Sequence, residues 1–394
     1  MTSSLAWQYH RRHRLPAGRR DRRTIVGAYS VRSPRDFDIN RFASTDNLKI
    51  VFNHLEKYGG QAPGSDGITY RELGGTELPG FLNLLREIIQ DGSYLPRPLK
   101  SVAIEKIDGS GERILSLQCI QDRVISKAFQ LCFDSYWSAR LPSFGLDVRV
   151  FYRRLAKTIR KYGCQVLVID DIRNCYPNTP ASAVVETQFE HFQDARLRQL
   201  AQRIILGHEG LQNETAGVGQ GSPYIPVAVD SFFHTRLHGQ LEAIYGRNDF
   251  LHRYVDNLVI AARNLSEGER IRSSIRTTLS VYGLELKCKD KTISVEEQNQ
   301  ETLLGLIPQW RNDKFTFSTP VSAFESLNRD LSEAVVRDTP HHSVLQTVMG
   351  WIQFYKIGLE SRASRNVAID RIHSIVDFHG IHISPDWISR SFHE

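Results

Sequence analysis

Apolar residues recur at helical spacing over residues 46–58 and again over 78–90, LPGFLNLLREIIQ. Between these two predicted helices, GGQAPGSDGITY (59–70) is dense in turn formers. PLKSVAIEKIDGSGERILSLQ (98–118) reads as two short strands around the turn Asp108-Gly109-Ser110-Gly111, and CIQDRVISKAFQLCFDSYW as the helix after them. The run CQVLVIDDIRNCYPN (164–178) is apolar until it ends in two carboxylates, the pattern of a buried strand with acids at its C-terminal end. Helices are predicted over 181–206 and 224–244, separated by the glycine-rich AGVGQGSPY. RYVDNLVI (253–260) then reads as a hairpin with Asp256 and Asn257 at its tip, because both tolerate the left-handed backbone of tight turns. A helix at about 266–282 and short strands in GLELKCKDKTISV and LLGLIPQW come next. From 319 onward the spacing is helical, and Val344, Leu345, Val348, Trp351, Ile352 and Tyr355 share one face, which marks them as core.

Composition narrows the classes. A 394-residue chain with 41% hydrophobic residues is long enough for two or three domains or subdomains. No apolar run approaches the roughly 18 residues of a membrane span. Five scattered cysteines with no Cys-x-x-Cys pair signal neither a zinc ribbon nor a disulfide framework, and a reducing cytoplasm is the simplest compartment. Charge is uneven: residues 1–35 hold nine Arg and one acid, a net of +8 on a chain of +6, so the rest sums to −2. A basic arm on a nearly neutral body suits a polyanion, most simply nucleic acid, through Arg11, Arg12, Arg14, Arg19, Arg20, Arg22 and Arg23. A solvated tail or an organellar transit peptide has the same composition.

The acids carry the candidate chemistry. A strand ending in Asp170-Asp171 and a hairpin bearing Asp256 are one way to build a two-metal site, since phosphoryl transfer needs hard oxygen ligands between attacking and leaving oxygens. Taken alone, an acid leaving a sheet into solvent is the commoner outcome. His234 and His238 stand one helical turn apart; with no third ligand nearby, they are expected on a helix surface.

Over about residues 60–360 the order of motifs resembles the reverse transcriptase family, in particular the bacterial enzymes related to group II intron and retron reverse transcriptases. APGSDGIT (62–69), IEKIDGSGERIL, QDRVISKAF and SFGLDVR resemble its fingers segments. VIDDIRNCYPN is similar to the first catalytic motif and GVGQGSPYIP to the glycine-glutamine-glycine motif. YVDN stands where the family has Tyr-x-Asp-Asp, and GLELKCKDKT, LLGL and VMGWIQFY resemble the later palm and thumb motifs.

The resemblance implies an α+β right-hand polymerase with a ferredoxin-like palm. Its parts would be a basic arm (1–35), fingers (36–125), a palm holding the catalytic core (126–310) and a helical thumb (311–394). It implies RNA-directed DNA synthesis from dNTPs on two Mg²⁺ ions, with Mn²⁺ as a substitute. Asp171 and Asp256 would be the ligands, completed by the Ile172 carbonyl, with Asp170 and Asn257 auxiliary. Asp171 rather than Asp170 is chosen because the aromatic that blocks a ribose 2′-hydroxyl, Tyr176, stands five positions after it. Lys106 and Arg113 would grip the triphosphate and Gln220 would lie beneath the nucleotide. Lys291 would protonate the pyrophosphate, with Lys287 and Lys289 close by. Asn257 departs from the family pattern: an amide keeps an oxygen acceptor but removes a charge. Glu105, where proline is usual, is a smaller departure.

No nuclease or integrase segment is recognised after the thumb. The resemblance therefore points to stand-alone reverse transcriptases of antiphage defence, with an RNA template that is a dedicated non-coding RNA, a DNA product, and no membrane. A protein partner or a second copy of the chain is compatible with it. Two alternatives stand beside this reading: a catalytically silent RNA-binding scaffold, which Asn257 supports, and a protein-primed or untemplated DNA polymerase.

Overall fold

The computed structural model describes residues 29, 31, 33–34, 37–105, 112–138, 140, 147–211, 217–219, 221–288, 291–296, 300–311, 314–336 and 340–392. The described chain opens with α1 (Ile39–Phe42), α2 (Thr45–Tyr58), α3 (Tyr70–Leu73) and α4 (Leu78–Gln90). Ser44 starts α2 by accepting from the Asn47 N–H. On α4, Leu78, Leu82, Leu85 and Ile89 are buried, the face that their spacing predicts. Strands β1 (Lys100–Glu105) and β2 (Glu112–Leu117) then pair antiparallel, with Lys100 opposite Leu117. Two long helices follow, α5 (Ile120–Ser138) and α6 (Val148–Tyr162). Asp147 caps α6 through the Arg149 N–H, and Gly163 ends it in the left-handed conformation.

The centre of the molecule is a four-stranded antiparallel sheet. Its strands are β3 (Val166–Asp171), β4 (Leu251–Tyr254), β5 (Asn257–Ala262) and β6 (Lys291–Ser294), in the order β4-β5-β3-β6. Between β3 and β4 run α7 (Cys175–Asn178), α8 (Ala181–Phe189), α9 (Ala195–Gly210), α10 (Ile225–Phe233), a π-helical turn (His234–His238) and α11 (Gly239–Tyr245). The predicted helix over 181–206 is thus two helices. Asp194 begins the second by accepting from the Arg196 and Leu197 N–H groups. Helix α12 (Leu265–Ser280) links β5 to β6 and starts on an Asn264 cap.

A second hairpin, β7 (Ile307–Arg311) and β8 (Lys314–Ser318), leads to α13 (Val321–Ala334), α14 (Pro340–Tyr355), α15 (Arg362–Phe378) and α16 (Pro385–Ser391). Because successive side chains of β3 point to opposite faces, the strand serves two cores. Val168 belongs to the core shared with α5, α8, α9, α10 and α12. Leu167 and Ile169 belong to the core shared with α6, β7–β8 and the C-terminal helices. The stripe on α14 is core as expected, with Leu345 only partly buried. Among the described residues no helix is long and apolar enough to cross a membrane.

Candidate functional site

The β3–β5 register assembles the acids. Asp170 stands opposite Leu258, and Asp171 opposite Asn257. At the strand end the Ile172 N–H donates to the Asp256 carbonyl oxygen at 3.0 Å, which ties the hairpin to the first motif. Alternation sends the two adjacent acids to different partners. Asp170 is buried towards α12, where the Arg272 guanidinium lies 3.8 Å away. Asp171, also buried, accepts from Lys287 Nζ at 3.2 Å on its carboxylate and from the Lys287 N–H at 2.8 Å on its carbonyl. A cation therefore already sits against Asp171. Lys291, by contrast, lies opposite Ile169 on β6 and donates to the Thr302 carbonyl at 3.3 Å.

The hairpin differs from its expectation. Its two-residue turn is Val255–Asp256, and Asn257 is the first residue of β5. The positive φ falls on Val255, at 58°, and on neither Asp256 nor Asn257. A β-branched residue there is strained and persists only where surrounding bonds over-determine it. Those bonds come from Arg253. One arm of its guanidinium donates to the Val255 carbonyl at 2.9 Å, and the other is ion-paired with Asp230 of α10; both side chains are almost wholly buried. At the tip, Asn257 Nδ2 donates to Asp256 Oδ1 at 3.2 Å.

The described glycines of the AGVGQGSPY segment pack against α7 and β2. The Val218 N–H donates to the Tyr176 carbonyl at 3.0 Å. A side chain at Gly217 would meet the Pro177 carbonyl oxygen at 1.9 Å, so only glycine fits there. Gly221, at φ 107°, lies so close to β2 that a side chain would meet the Ser116 carbonyl oxygen at 2.3 Å. The loop thus runs from Tyr176, half-buried on α7, to the β1–β2 hairpin. Its Gln220, together with Lys106, the Arg113 side chain, Lys289 and the seven arginines of the arm, lies outside the described residues. Cys175, beside Tyr176, is inert: burial, with the nearby Asp256 charge, pushes its thiol up to about 12.

His234 and His238 are a correction to the expected helix surface. Both are buried, with rings stacked 4.7 Å apart at 7° in the π-helical turn. Both side chains face inward, with the buried His252 of β4 near His238. Burial lowers the pKa of all three, His252 to about 3. Each therefore stays neutral to lower pH in the fold than in the unfolded chain, where a histidine titrates near 6.5. The unfolded chain then binds more protons as pH falls below about 6.5, so stability present above that pH is lost towards pH 3. Asp122, raised to about 6 by burial, acts in the opposite sense over the same window. For His252 the expected slope is up to about 1.4 kcal/mol per pH unit, and the other two act in the same direction. Urea unfolding at pH 7 and pH 5 measures the sum, and His252→Leu should flatten it.

The donor set fits hard divalent cations: one carboxylate at the end of β3 and another on the adjoining turn, the first already drawing the Lys287 ammonium and the second the Asn257 amide N–H. A four-stranded antiparallel sheet in the order β4-β5-β3-β6, with acids at the β3 end and the β4–β5 turn, has the architecture of the palm of a right-hand polymerase. The chain belongs to the family described as reverse transcriptase (RNA-dependent DNA polymerase), whose model matches residues 104–307, just over half of its length. Among solved structures it is similar to apo telomerase from Candida tropicalis, at 12% identity and a TM-score of 0.41, covering 79% of this chain and 70% of that one. It is also similar to telomerase from Candida albicans in complex with a TWJ fragment of telomeric RNA, at 11% identity and a TM-score of 0.42, covering 82% and 66%. No curated protein sequence matches it.

Proposed function

We propose that this chain is an RNA-directed DNA polymerase that extends a primer from dNTPs. The observation that carries the reading is the β3–β5 register, which brings Asp171 and the Asp256 turn together. Two Mg²⁺ ions bound there would position the reacting oxygens and offset their developing charge. Asp171 and Asp256, with the Ile172 carbonyl, would hold the ions, and Asp170 stays structural in its contact with Arg272. Lys106 and Arg113 bind the triphosphate, and Gln220 underlies the nucleotide. Lys291 is the proton donor by motif, and Lys287 is the lysine placed on Asp171. The proposed division remains arm 1–35, fingers 36–125, palm 126–310 and thumb 311–394. We place the enzyme in bacterial antiphage defence in the cytoplasm, copying a dedicated non-coding RNA.

The test is incorporation of each labelled dNTP by the full chain with Mg²⁺ or Mn²⁺, with and without RNase. RNase-sensitive incorporation supports the reading. Incorporation that survives RNase would replace it with untemplated or protein-primed synthesis. One observation favours a silent RNA-binding scaffold instead: Asn257 directs an amide N–H, not a charge, at Asp256. That reading expects RNA to stay bound with no incorporation under any condition.

Tyr176 supplies a specificity test. Its ring is packed against the palm core and its backbone is fixed by Val218, so it forms a firm wall beside the sugar. Tyr176→Ala is expected to raise rNTP relative to dNTP incorporation by about 10–100-fold, the range of a single steric contact. An unchanged ratio of kcat/KM values would remove Tyr176 from that role.

A further inference from the structure

We propose that His373, Asp377 and His382 form a Zn²⁺ site on the C-terminal helices, separate from the polymerase centre. His373 and Asp377 stand one turn apart near the end of α15. The chain then reverses through Gly380, at φ 72°, and brings His382 back to the same carboxylate. His373 Nδ1 lies 3.3 Å from Asp377 Oδ2, and His382 Nδ1 lies 3.6 Å from Asp377 Oδ1. Donor atoms of the three residues all fall within 4.8 Å of one another. A tetrahedral zinc with bonds of about 2.0–2.1 Å separates its ligands by roughly 3.4 Å, so the triad needs only a small closure to accept the ion.

The donor chemistry selects the metal. Two imidazoles and one carboxylate suit Zn²⁺ and similar first-row ions, whereas Mg²⁺ prefers oxygen alone. Three protein ligands leave a fourth position for water. Ordinary ion pairing accounts for one histidine on Asp377, through the helical i,i+4 spacing, but gives no reason for a second to return through a turn to the other oxygen. The intervening His379 takes a different partner, Asn328 of α13, at 2.9 Å, which leaves the other two imidazoles to Asp377. Bound zinc would then clip the end of α15 to the segment that enters α16.

The triad lies at the surface, with the His382 side chain 82% exposed, so alanine there empties no core. The full chain is titrated with Zn²⁺, and separately with Co²⁺ as a spectroscopic probe, in saturating Mg²⁺. The wild type is expected to take up one more equivalent than His382→Ala. Its Co²⁺ complex should show the visible absorption of a low-coordinate N/O site, and Zn²⁺ should raise its melting temperature. His382→Ala and His373→Ala should weaken that equivalent by more than the about 10–100-fold that loss of an outer-shell group costs. dNTP incorporation should be unchanged in both. His379→Ala should retain the site. Equal uptake by wild type and a His373→Ala/His382→Ala double variant would overturn the proposal and leave two ion pairs only. So would a Co²⁺ spectrum identical to that of the aqueous ion, or loss of binding in His379→Ala.

Discussion

Asp256→Ala is expected to lower the rate of dNTP incorporation by about three orders of magnitude or more while leaving the fold intact. The expectation rests on where the residue sits. The turn is held by its neighbours, through the Ile172 N–H on the Asp256 carbonyl and Arg253 on the Val255 carbonyl, so truncating the Asp256 side chain removes a ligand without releasing the loop. A metal ion contributes several kcal/mol of charge stabilisation in the transition state, and about 1.4 kcal/mol is a factor of ten in rate. Asp171→Ala should match it, since Lys287 is exposed enough to turn into solvent once its partner is gone. Asn257→Asp should act in the opposite direction. A third carboxylate, opposite Asp171 in the register, would lower the Mg²⁺ concentration needed for half-maximal rate. Without metal it would also lower stability, because like charges at one site repel. Single-turnover incorporation across a Mg²⁺ series, beside melting temperatures, measures all three variants. Activity retained in both Asp256→Ala and Asp171→Ala would sink the polymerase reading of this site.

Much of this arrangement is legible in the sequence because periodicity reports burial. The α4 stripe and the apolar run of β3 declare their faces directly, and both elements fall where the pattern puts them. The hairpin was legible only as a hairpin. Intrinsic turn preference assigns the left-handed position to Asp256 or Asn257, yet Val255 takes it, because Arg253 pins the Val255 carbonyl from outside the turn. Local propensity loses there to a tertiary bond. His234 and His238 read as a surface pair because i,i+4 spacing says nothing about which way a helix faces, and here they continue a helix that is buried on all sides. Asp230 gave the weakest signal of all. Within IPVAVDSFF it is one polar residue in a buried helix, and its reason lies on a strand 23 residues later.

That distant pair carries the second large effect. Asp230→Ala is expected to destabilise the protein by about 3–5 kcal/mol, because it leaves the buried Arg253 charge uncompensated. Arg253→Ala should cost a similar amount and also frees the Val255 carbonyl. Stability alone would not distinguish a structural pair from one that positions the catalytic turn, since either variant loses activity on unfolding. The paired replacement Asp230→Leu with Arg253→Met does distinguish them. Apolar residues of similar volume commonly recover the stability of a buried ion pair, so this double variant should melt near the wild type. It cannot donate to Val255, however, and no other described bond reaches that carbonyl. The strained Val255 should then relax and carry Asp256 with it, and a displacement near 1 Å at a reacting centre costs about 100-fold. We therefore expect a folded enzyme whose kcat falls about 100-fold with little change in RNA affinity. A double variant with wild-type kcat would make Asp230–Arg253 a purely structural pair. One that stays unstable would mean that the surrounding His234, His238 and His252 require its charges to remain packed.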